Sequence, residues 1–178
     1  QTLIITLSNE VNAGLGTRAT TTLTINDNDS PPTVSFAQAA NNAIENNTNV
    51  SIAISLSDTS EQVASVGYTV GGTATAVDDH DLAAGTVTFA AGEKDKTITF
   101  TVVDDVLDEE EQTVIATIVN AGIVNTSLGA NSIHTYIIND NDPLPTVYFV
   151  NPTSLADEAN GTIGVAINTS AVSERNVQ

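Results

Sequence analysis

The sequence contains no cysteine, methionine or tryptophan, and only four of its 178 residues are lysine or arginine. The missing cysteine excludes disulfides and thiolate metal sites. The shortage of basic residues excludes a general binder of nucleic acid or of anionic membranes, because such binding depends on excess positive charge. No run of about 18 apolar residues occurs, so the sequence predicts no spanning helix and no direct membrane insertion.

Acidic residues, in contrast, are abundant: 22 aspartates and glutamates give a formal net charge of −18. This charge favours cations as ligands, although acidity also keeps a protein soluble without any ligand. Strand-forming threonine, valine and isoleucine are plentiful, whereas helical periodicity is hard to find. An all-β architecture is therefore expected.

One fourteen-residue segment occurs twice. LTINDNDSPPTVSF begins at Leu23, YIINDNDPLPTVYF begins at Tyr136, and nine of the fourteen positions are identical. The two copies are 113 residues apart, and QTLIITLSN at Gln1 resembles QTVIATIVN at Gln112. This period is too long for a solenoid repeat and has the size of a sandwich domain in a tandem array.

The period divides the chain into three parts. Residues 1–29 are predicted to be the last two strands of one repeat, residues 30–142 a complete repeat, and residues 143–178 the opening of a third. The first residues lack the length and charge of a signal peptide, so we expect a portion of a longer array. Otherwise partners, either neighbouring repeats or identical chains in a filament, would complete the unpaired strands.

Alternating apolar residues mark seven strands, A to G, in the complete repeat. Seven strands in about 110 residues predict a two-sheet sandwich. The residues expected to share the core-facing side of each strand are Val34 and Phe36 (A), Val50, Ile52, Ile54 and Leu56 (B), Val66, Tyr68 and Val70 (C), Val87 and Phe89 (D), Ile98, Phe100 and Val102 (E), Val114, Ala116 and Ile118 (F), and Tyr136 and Ile138 (G).

The acidic residues of this repeat fall in particular connections. Glu45 lies between strands A and B, residues 78–81 between C and D, residues 104–111 between E and F, and Asp140 and Asp142 follow G. If successive strands reverse direction, these four places share one end of the sandwich. Each group alone is typical of a turn or a solvated acidic loop, but their convergence predicts a cation site.

Calcium is the cation that such loops suit best. It takes six to eight oxygen ligands in irregular geometry, whereas Mg²⁺ prefers a tight octahedron and retained water. Zinc would need cysteine or histidine, and only His80 lies nearby. Glycoside hydrolysis by paired carboxylates is disfavoured because no nucleophile, base and orienting residue occur together, and His134 on strand G is predicted to be structural. The protein is therefore not expected to be an enzyme.

Taken together, these pieces resemble a Calx-beta domain over residues 33–142. The resemblance rests on Glu45, on GTATAVDDHD from Gly72, on GTVTFAAGEKDKTITFTVVDD from Gly85, on the E–F acids and on the closing INDND. It implies an immunoglobulin-like antiparallel sandwich in tandem, with Ca²⁺ at the distal loops. The ligands that it implies are Glu45, Asp79, Asp104, Asp105, Glu109, Asp140 and Asp142, with the Leu107 carbonyl as a further oxygen.

The sequence departs from the family pattern at several positions. Gln112 stands where the last glutamate of DDxxxExxE is expected, and Val106 and Asn141 replace acids of the calcium-rich version. His80 stands where tyrosine is common. Fewer acidic ligands imply roughly one to three ions, or weaker binding.

The repeat and the resemblance together predict a calcium-binding structural repeat of an extracellular adhesin, matrix or surface filament, as in large bacterial surface proteins. Calcium beside the proline-containing linker would rigidify the junction between domains. An adhesin of this kind would carry a cell-surface or glycan ligand. The alternative is a calcium-sensing regulatory domain of a membrane exchanger-like protein, as in sodium–calcium exchangers.

Overall fold

The structure is a computed structural model that describes residues 1–159 and 161–177. Within these residues the chain forms thirteen strands and no helix, so none is long and apolar enough to cross a membrane. The strands are β1 (Thr2–Thr6), β2 (Thr20–Thr24), β3 (Thr33–Phe36), β4 (Ala40–Ile44), β5 (Asn49–Leu56), β6 (Ala64–Gly72), β7 (Gly85–Phe89), β8 (Asp95–Thr101), β9 (Gln112–Val124), β10 (Ser127–Leu128), β11 (Ile133–Asn139), β12 (Val147–Phe149) and β13 (Ile167–Thr169).

The first compact unit, Gln1–Pro31, is a hairpin of β1 and β2. Thr2 lies opposite Thr24 in its antiparallel ladder. In the second unit β9 and β11 are also antiparallel, with Thr113 opposite Ile137. These pairs occupy equivalent positions of the sequence repeat, so the internal similarity extends to strand register. The domain boundaries inferred from the period stay a prediction.

The second unit, Pro32–Gln178, contains two facing sheets and a short two-stranded pair. One sheet has the order β10-β3-β5-β8 and the other has the order β4-β11-β9-β6-β7, while β12 pairs with β13. Most neighbours are antiparallel. The arrangement confirms the predicted all-β, immunoglobulin-like sandwich.

The core lies between the two large sheets, where alternate residues of each strand point inward. In β5 the residues Val50, Ile52, Ile54 and Leu56 are buried and their neighbours are more exposed. Burying an aliphatic or aromatic side chain of this size contributes about 1.5–3 kcal/mol, which is what fixes the register of each strand. The predicted core residues are all buried except Tyr68 and Val70, which are partly buried against the core.

Predicted strand A is in fact two strands that belong to different sheets. Strand β3 pairs with β5, and after a short crossover β4 pairs in parallel with β11 in the opposite sheet. The seven-strand prediction therefore missed β4, and it missed the short β10 as well. The β4 sequence ANNAI has too few large apolar residues to show alternation, so its pattern does not predict a strand.

Candidate metal centre

The parallel pairing of β4 and β11 builds the acidic end of the sandwich. Ile44, the last residue of β4, lies opposite Asn139, the last residue of β11. The backbone N–H of Glu45 donates to the carbonyl of Asn139 at 3.0 Å. Because the two strands end side by side, Glu45 emerges next to the Asp140–Asp142 turn that follows β11.

Three carboxylates meet at this place. Glu45, Asp140 and Asp142, here called the carboxylate trio, each offer one oxygen atom, and these oxygens lie within 4.8 Å of one another. Among the residues that the structure describes, no other such group is found. Seven ligands were predicted from the sequence, and the structure brings these three together.

Two observations show that the trio fits a cation. Glu45 is only 3% exposed, although a buried carboxylate is costly unless an opposite charge or hydrogen-bond donors stabilise it. The Oδ2 atom of Asp142 is buried and has no hydrogen-bond partner among the residues that the structure describes. A buried acceptor without a donor is the arrangement expected of a metal ligand whose metal supplies the missing interaction.

Asn141 links the trio to the loop between β8 and β9 (residues 102–111, the acidic loop). Its Nδ2 donates to Glu45 Oε1 at 2.8 Å and to Asp104 Oδ1 at 3.3 Å. Burial raises the pKa of Glu45, the Asn141 amide opposes that rise, and Asp142 and Asp140 add to it. Asn141 therefore links two carboxylates without adding charge.

Glu109, another predicted ligand, lies beside Asp140 of the trio. It is 7% exposed, its Oε2 accepts a hydrogen bond from Gln112 Nε2 at 3.1 Å, and its N–H donates to Asp140 Oδ2 at 3.2 Å. Burial raises the pKa of Glu109 to about 7, and the charges of Asp79, Glu174 and Asp105 add to that rise.

The loops that carry these ligands are shaped by their own carboxylates. Asp105 Oδ1 accepts the N–H of Leu107 at 2.7 Å, and Asp140 Oδ1 accepts the N–H of Asp142 at 3.0 Å. Such side-chain-to-backbone bonds fix tight turns. The roles of Asp79, Asp104, Asp105, Glu109 and the Leu107 carbonyl as ligands stay predictions.

His80, the histidine closest in sequence to the predicted ligands, packs in the hydrophobic core. It is 2% exposed, its Nδ1 accepts the N–H of Leu82 at 3.1 Å, and its ring meets the edge of Phe100 with centroids 6.3 Å apart. These contacts make it part of the core. The other histidine, His134, is also 2% exposed, and its ring nitrogens lie 2.8 Å from Gln38 O and 2.7 Å from Asn41 Oδ1.

Sequence reasoning missed three residues at this end of the sandwich: Asp108, Ser173 and Arg175. Asp108 is 2% exposed, Ser173 Oγ lies 2.6 Å from its Oδ2, and Arg175 Nε lies 3.4 Å from its Oδ1. Asp108 belongs to a run of four acids, two of which are exposed, so nothing in the sequence marks it as buried. A usable signal was that Arg175 is one of only four basic residues.

Comparisons with known proteins place the chain in a family and show which solved structures share its fold. A family model described as the Calx-beta domain matches residues 27–142. No protein of curated function matches the chain at a significant level. The matched residues include every one of the seven predicted ligands.

Three solved structures share the fold. "CBD12 from CALX1.2" is 23% identical with a TM-score of 0.57, and the match covers 61% of this chain and 45% of that one. The "Apo-form Calx CBD1 domain" is 24% identical with a TM-score of 0.56, covering 62% and 98%. The "calcium binding domain CBD12 of CALX1.1" is 25% identical with a TM-score of 0.55, covering 61% and 44%.

The similarity therefore extends over less than half the length of the two CBD12 structures and nearly all of CBD1. Calx-beta is a family of binding and regulatory domains, not of catalytic ones. Together with the sandwich and the acidic end that closes it, the match over residues 27–142 shows that this chain belongs to the Calx-beta domain family.

Proposed function

We propose that this chain is a calcium-binding structural repeat of an extracellular adhesin, matrix or surface filament protein, in which Ca²⁺ stiffens the junction between successive repeats. The observation that carries the proposal is the carboxylate trio, whose buried Asp142 Oδ2 has no hydrogen-bond partner within residues 1–159 and 161–177. Glu45, Asp140 and Asp142 would hold the ion. Asp79, Asp104, Asp105 and Glu109 would supply further oxygens to the same acidic end.

The position of the trio in the chain suggests how the ion would stiffen the junction. Pro143 directly follows Asp142, Pro145 comes two residues later, and β12 begins at Val147. Proline restricts the backbone, so the linker has little freedom beyond the last ligand. A cation at the trio would fix the start of this linker, and repulsion between the carboxylates would loosen it when the cation is removed.

An extracellular surface role is supported by the sequence. The internal repeat, the absence of cysteine and the low content of lysine and arginine are typical of microbial surface rods. Such rods act by spacing and presenting an adhesive region, whose ligand would be a cell-surface or glycan group. Neighbouring repeats, in the same chain or in identical chains of a filament, are the proposed partners.

Calcium titration of the whole chain tests the proposal. Calorimetry and thermal unfolding in chelator, Ca²⁺ and Mg²⁺ should show binding and a rise in melting temperature of about 5–10 °C at a hundredfold excess over the dissociation constant. Asp142→Asn should reduce both effects. Asp95→Asn is the matched control, because Asp95 is exposed and begins β8 at the strand end away from the acidic loop. No binding by the unaltered chain would refute the proposal.

X-ray scattering tests the stiffening separately from the binding. Removing Ca²⁺ should increase the spread of particle dimensions, whereas Asp142→Asn should already show the wider spread with Ca²⁺ present. Binding without any change in scattering would retain the calcium site and reject its role at the junction.

The alternative role is calcium sensing as a regulatory domain of an exchanger-like membrane protein. It is favoured by the likeness to Calx structures, one of which is described as a calcium binding domain. The full-length gene separates the two roles. Many repeats with a secretion signal would support the structural role, whereas transmembrane segments beside two such domains would support sensing.

A further inference from the structure

Residues Ser173–Arg175, here called the docking segment, contact the acidic loop of the complete repeat. The segment belongs to the part of the chain predicted to open the next repeat. Ser173 forms a parallel β-bridge with Asp108, and the N–H of Glu174 donates to the Asp108 carbonyl at 3.1 Å. The contact therefore includes backbone as well as side-chain bonds.

The side chain of Asp108 is the anchor of this contact. It is 2% exposed and is not part of the carboxylate trio. Ser173 Oγ lies 2.6 Å from its Oδ2 and 3.1 Å from its carbonyl, and the N–H of Arg175 donates to Ser173 Oγ at 3.0 Å. A buried carboxylate is costly unless it is paired and hydrogen-bonded, and here the docking segment supplies both kinds of partner.

Arg175 extends from this anchor toward the trio. Its Nε lies 3.4 Å from Asp108 Oδ1 and 3.6 Å from Glu110 Oε1, and its Nη2 lies 3.5 Å from Asp140 Oδ2. The Nε atom is buried, and within the described part of the chain it makes its ion pairs to Asp108 and Glu110 without a hydrogen bond of good geometry. Since Asp140 is a member of the trio, a fixed positive charge lies beside the atoms that would bind the cation.

We propose that Asp108 is a docking residue, which holds the Ser173–Arg175 segment of the next repeat without any metal, and that Arg175 is a counter-charge that weakens cation binding at the trio. The first half depends only on the contacts among these residues. The second half rests on the proposed calcium site. The junction between the repeats would then be held by two interactions, the proposed cation at the trio and the docking contact, and Asp140 takes part in both.

The docking half is tested by amide hydrogen exchange, measured by NMR in chelator. In the unaltered chain the N–H groups of Glu174 and Arg175 should exchange at least about tenfold more slowly than unprotected amides. Asp108→Asn, Ser173→Ala and Arg175→Gln should each reduce this protection. Glu111→Gln is the matched control, because it removes a charge from an exposed position of the acidic loop and should leave the protection unchanged.

Core amides of β5 and β9 serve as an internal reference, since their protection shows that each variant is folded. Unprotected amides at Glu174 and Arg175 in the unaltered chain would overturn the docking half. Equal protection in all variants would overturn it too.

The counter-charge half is tested by calcium calorimetry at low salt. Arg175→Gln should bind Ca²⁺ about two- to fivefold more tightly than the unaltered chain, and added salt should shrink the difference. Arg175→Lys, which keeps the charge, should stay near the unaltered affinity. Equal or weaker binding by Arg175→Gln would overturn this half.

The two proposals fail in different ways. If neither the unaltered chain nor Arg175→Gln binds Ca²⁺, both the proposed function and the counter-charge role of Arg175 are rejected. Amide exchange in chelator still tests the docking role of Asp108, because that role needs no metal. If Ca²⁺ binds and Arg175→Gln has no effect, the calcium site stands and only the counter-charge half is rejected.

Discussion

Ile44 lies directly opposite Asn139 in the parallel ladder between β4 and β11, and the residue that follows each strand carries a carboxylate. Glu45 and Asp140 are 95 positions apart in the chain and become neighbours through this one register. A shift of one residue would turn every side chain of β4 to the other face. The acidic site therefore depends on the crossover that sends the chain from β3 into the opposite sheet.

Glu45→Gln is expected to have opposite effects with and without calcium. Burial raises the pKa of Glu45, so the metal-free protein should be as stable as before or about 1 kcal/mol more stable without that charge. Calcium affinity should fall about tenfold or more, because a negative ligand is lost. Urea unfolding in chelator and in Ca²⁺ measures both effects. A loss of stability of similar size in both conditions would contradict the expectation.

The metal-free protein should lose stability as the pH rises from about 4.5 to about 7. The pKa of Glu109 is raised from 4.5 to about 7 in the folded state, so the folded protein binds the proton more tightly than the unfolded one across this window. Stability is therefore greatest below the window and falls through it, by up to about 3 kcal/mol.

Urea unfolding in chelator at pH 5 and pH 8 measures this dependence, with Glu109→Gln as the comparison. The variant should show a flatter dependence, because position 109 no longer titrates. Calcium affinity should change in the opposite sense and increase as the pH rises through 7. An identical pH dependence in both proteins would show that Glu109 is not the group responsible.

Calcium should stabilise the protein more than magnesium at equal concentration. The trio is held by irregular turns, and Ca²⁺ accepts irregular oxygen geometry, whereas Mg²⁺ requires a tight octahedron and dehydrates reluctantly. Thermal unfolding in each ion, at matched ionic strength, measures the difference. An equal rise in melting temperature would indicate general screening of negative charge, and Na⁺ at high concentration is the control for that effect.

Gly72→Ala should destabilise the sandwich by about 2–4 kcal/mol. Gly72 has a φ of +126°, and an added Cβ would clash with the carbonyl oxygen of Thr113 on β9. The neighbouring glycine is the natural control, because a Cβ at Gly71 meets no described atom within 4 Å. Gly71→Ala should change the free energy of unfolding by about 0.5 kcal/mol or less. Equal effects of the two variants would contradict the clash.

The strands that could be predicted from the sequence are those with one clearly apolar and one clearly polar face. Strands β5 and β8 alternate cleanly between apolar and polar residues, and the structure buries the apolar set of each. Strand β4 could not be predicted, because its inward positions are taken by Asn41 and Ala43 and its stability comes from pairing with β11. The alternation of apolar residues reflects burial of side chains. A strand that is held mainly by backbone hydrogen bonds therefore shows little of this alternation in its sequence.

The acidic end was predictable in part for a similar reason. Strand reversal and the family resemblance both pointed to Glu45, Asp140 and Asp142, and the structure brings them together. The role of Asp108 was not predictable, because its partners Ser173 and Arg175 lie 65 and 67 positions further along the chain. Only the folded arrangement shows that Asp108 and Glu109 are buried while the other two acids of the run, Glu110 and Glu111, are exposed.

The parallel register of β4 and β11 also determines how the repeat responds to mechanical load. The chain reaches the sandwich through β3 and β4 and leaves it at the end of β11, and the last two of these strands run in the same direction. A pull on the two ends of the repeat would slide β4 and β11 past each other lengthwise. Because their hydrogen bonds cross between the strands, all five residue pairs would have to shear together instead of unzipping in turn.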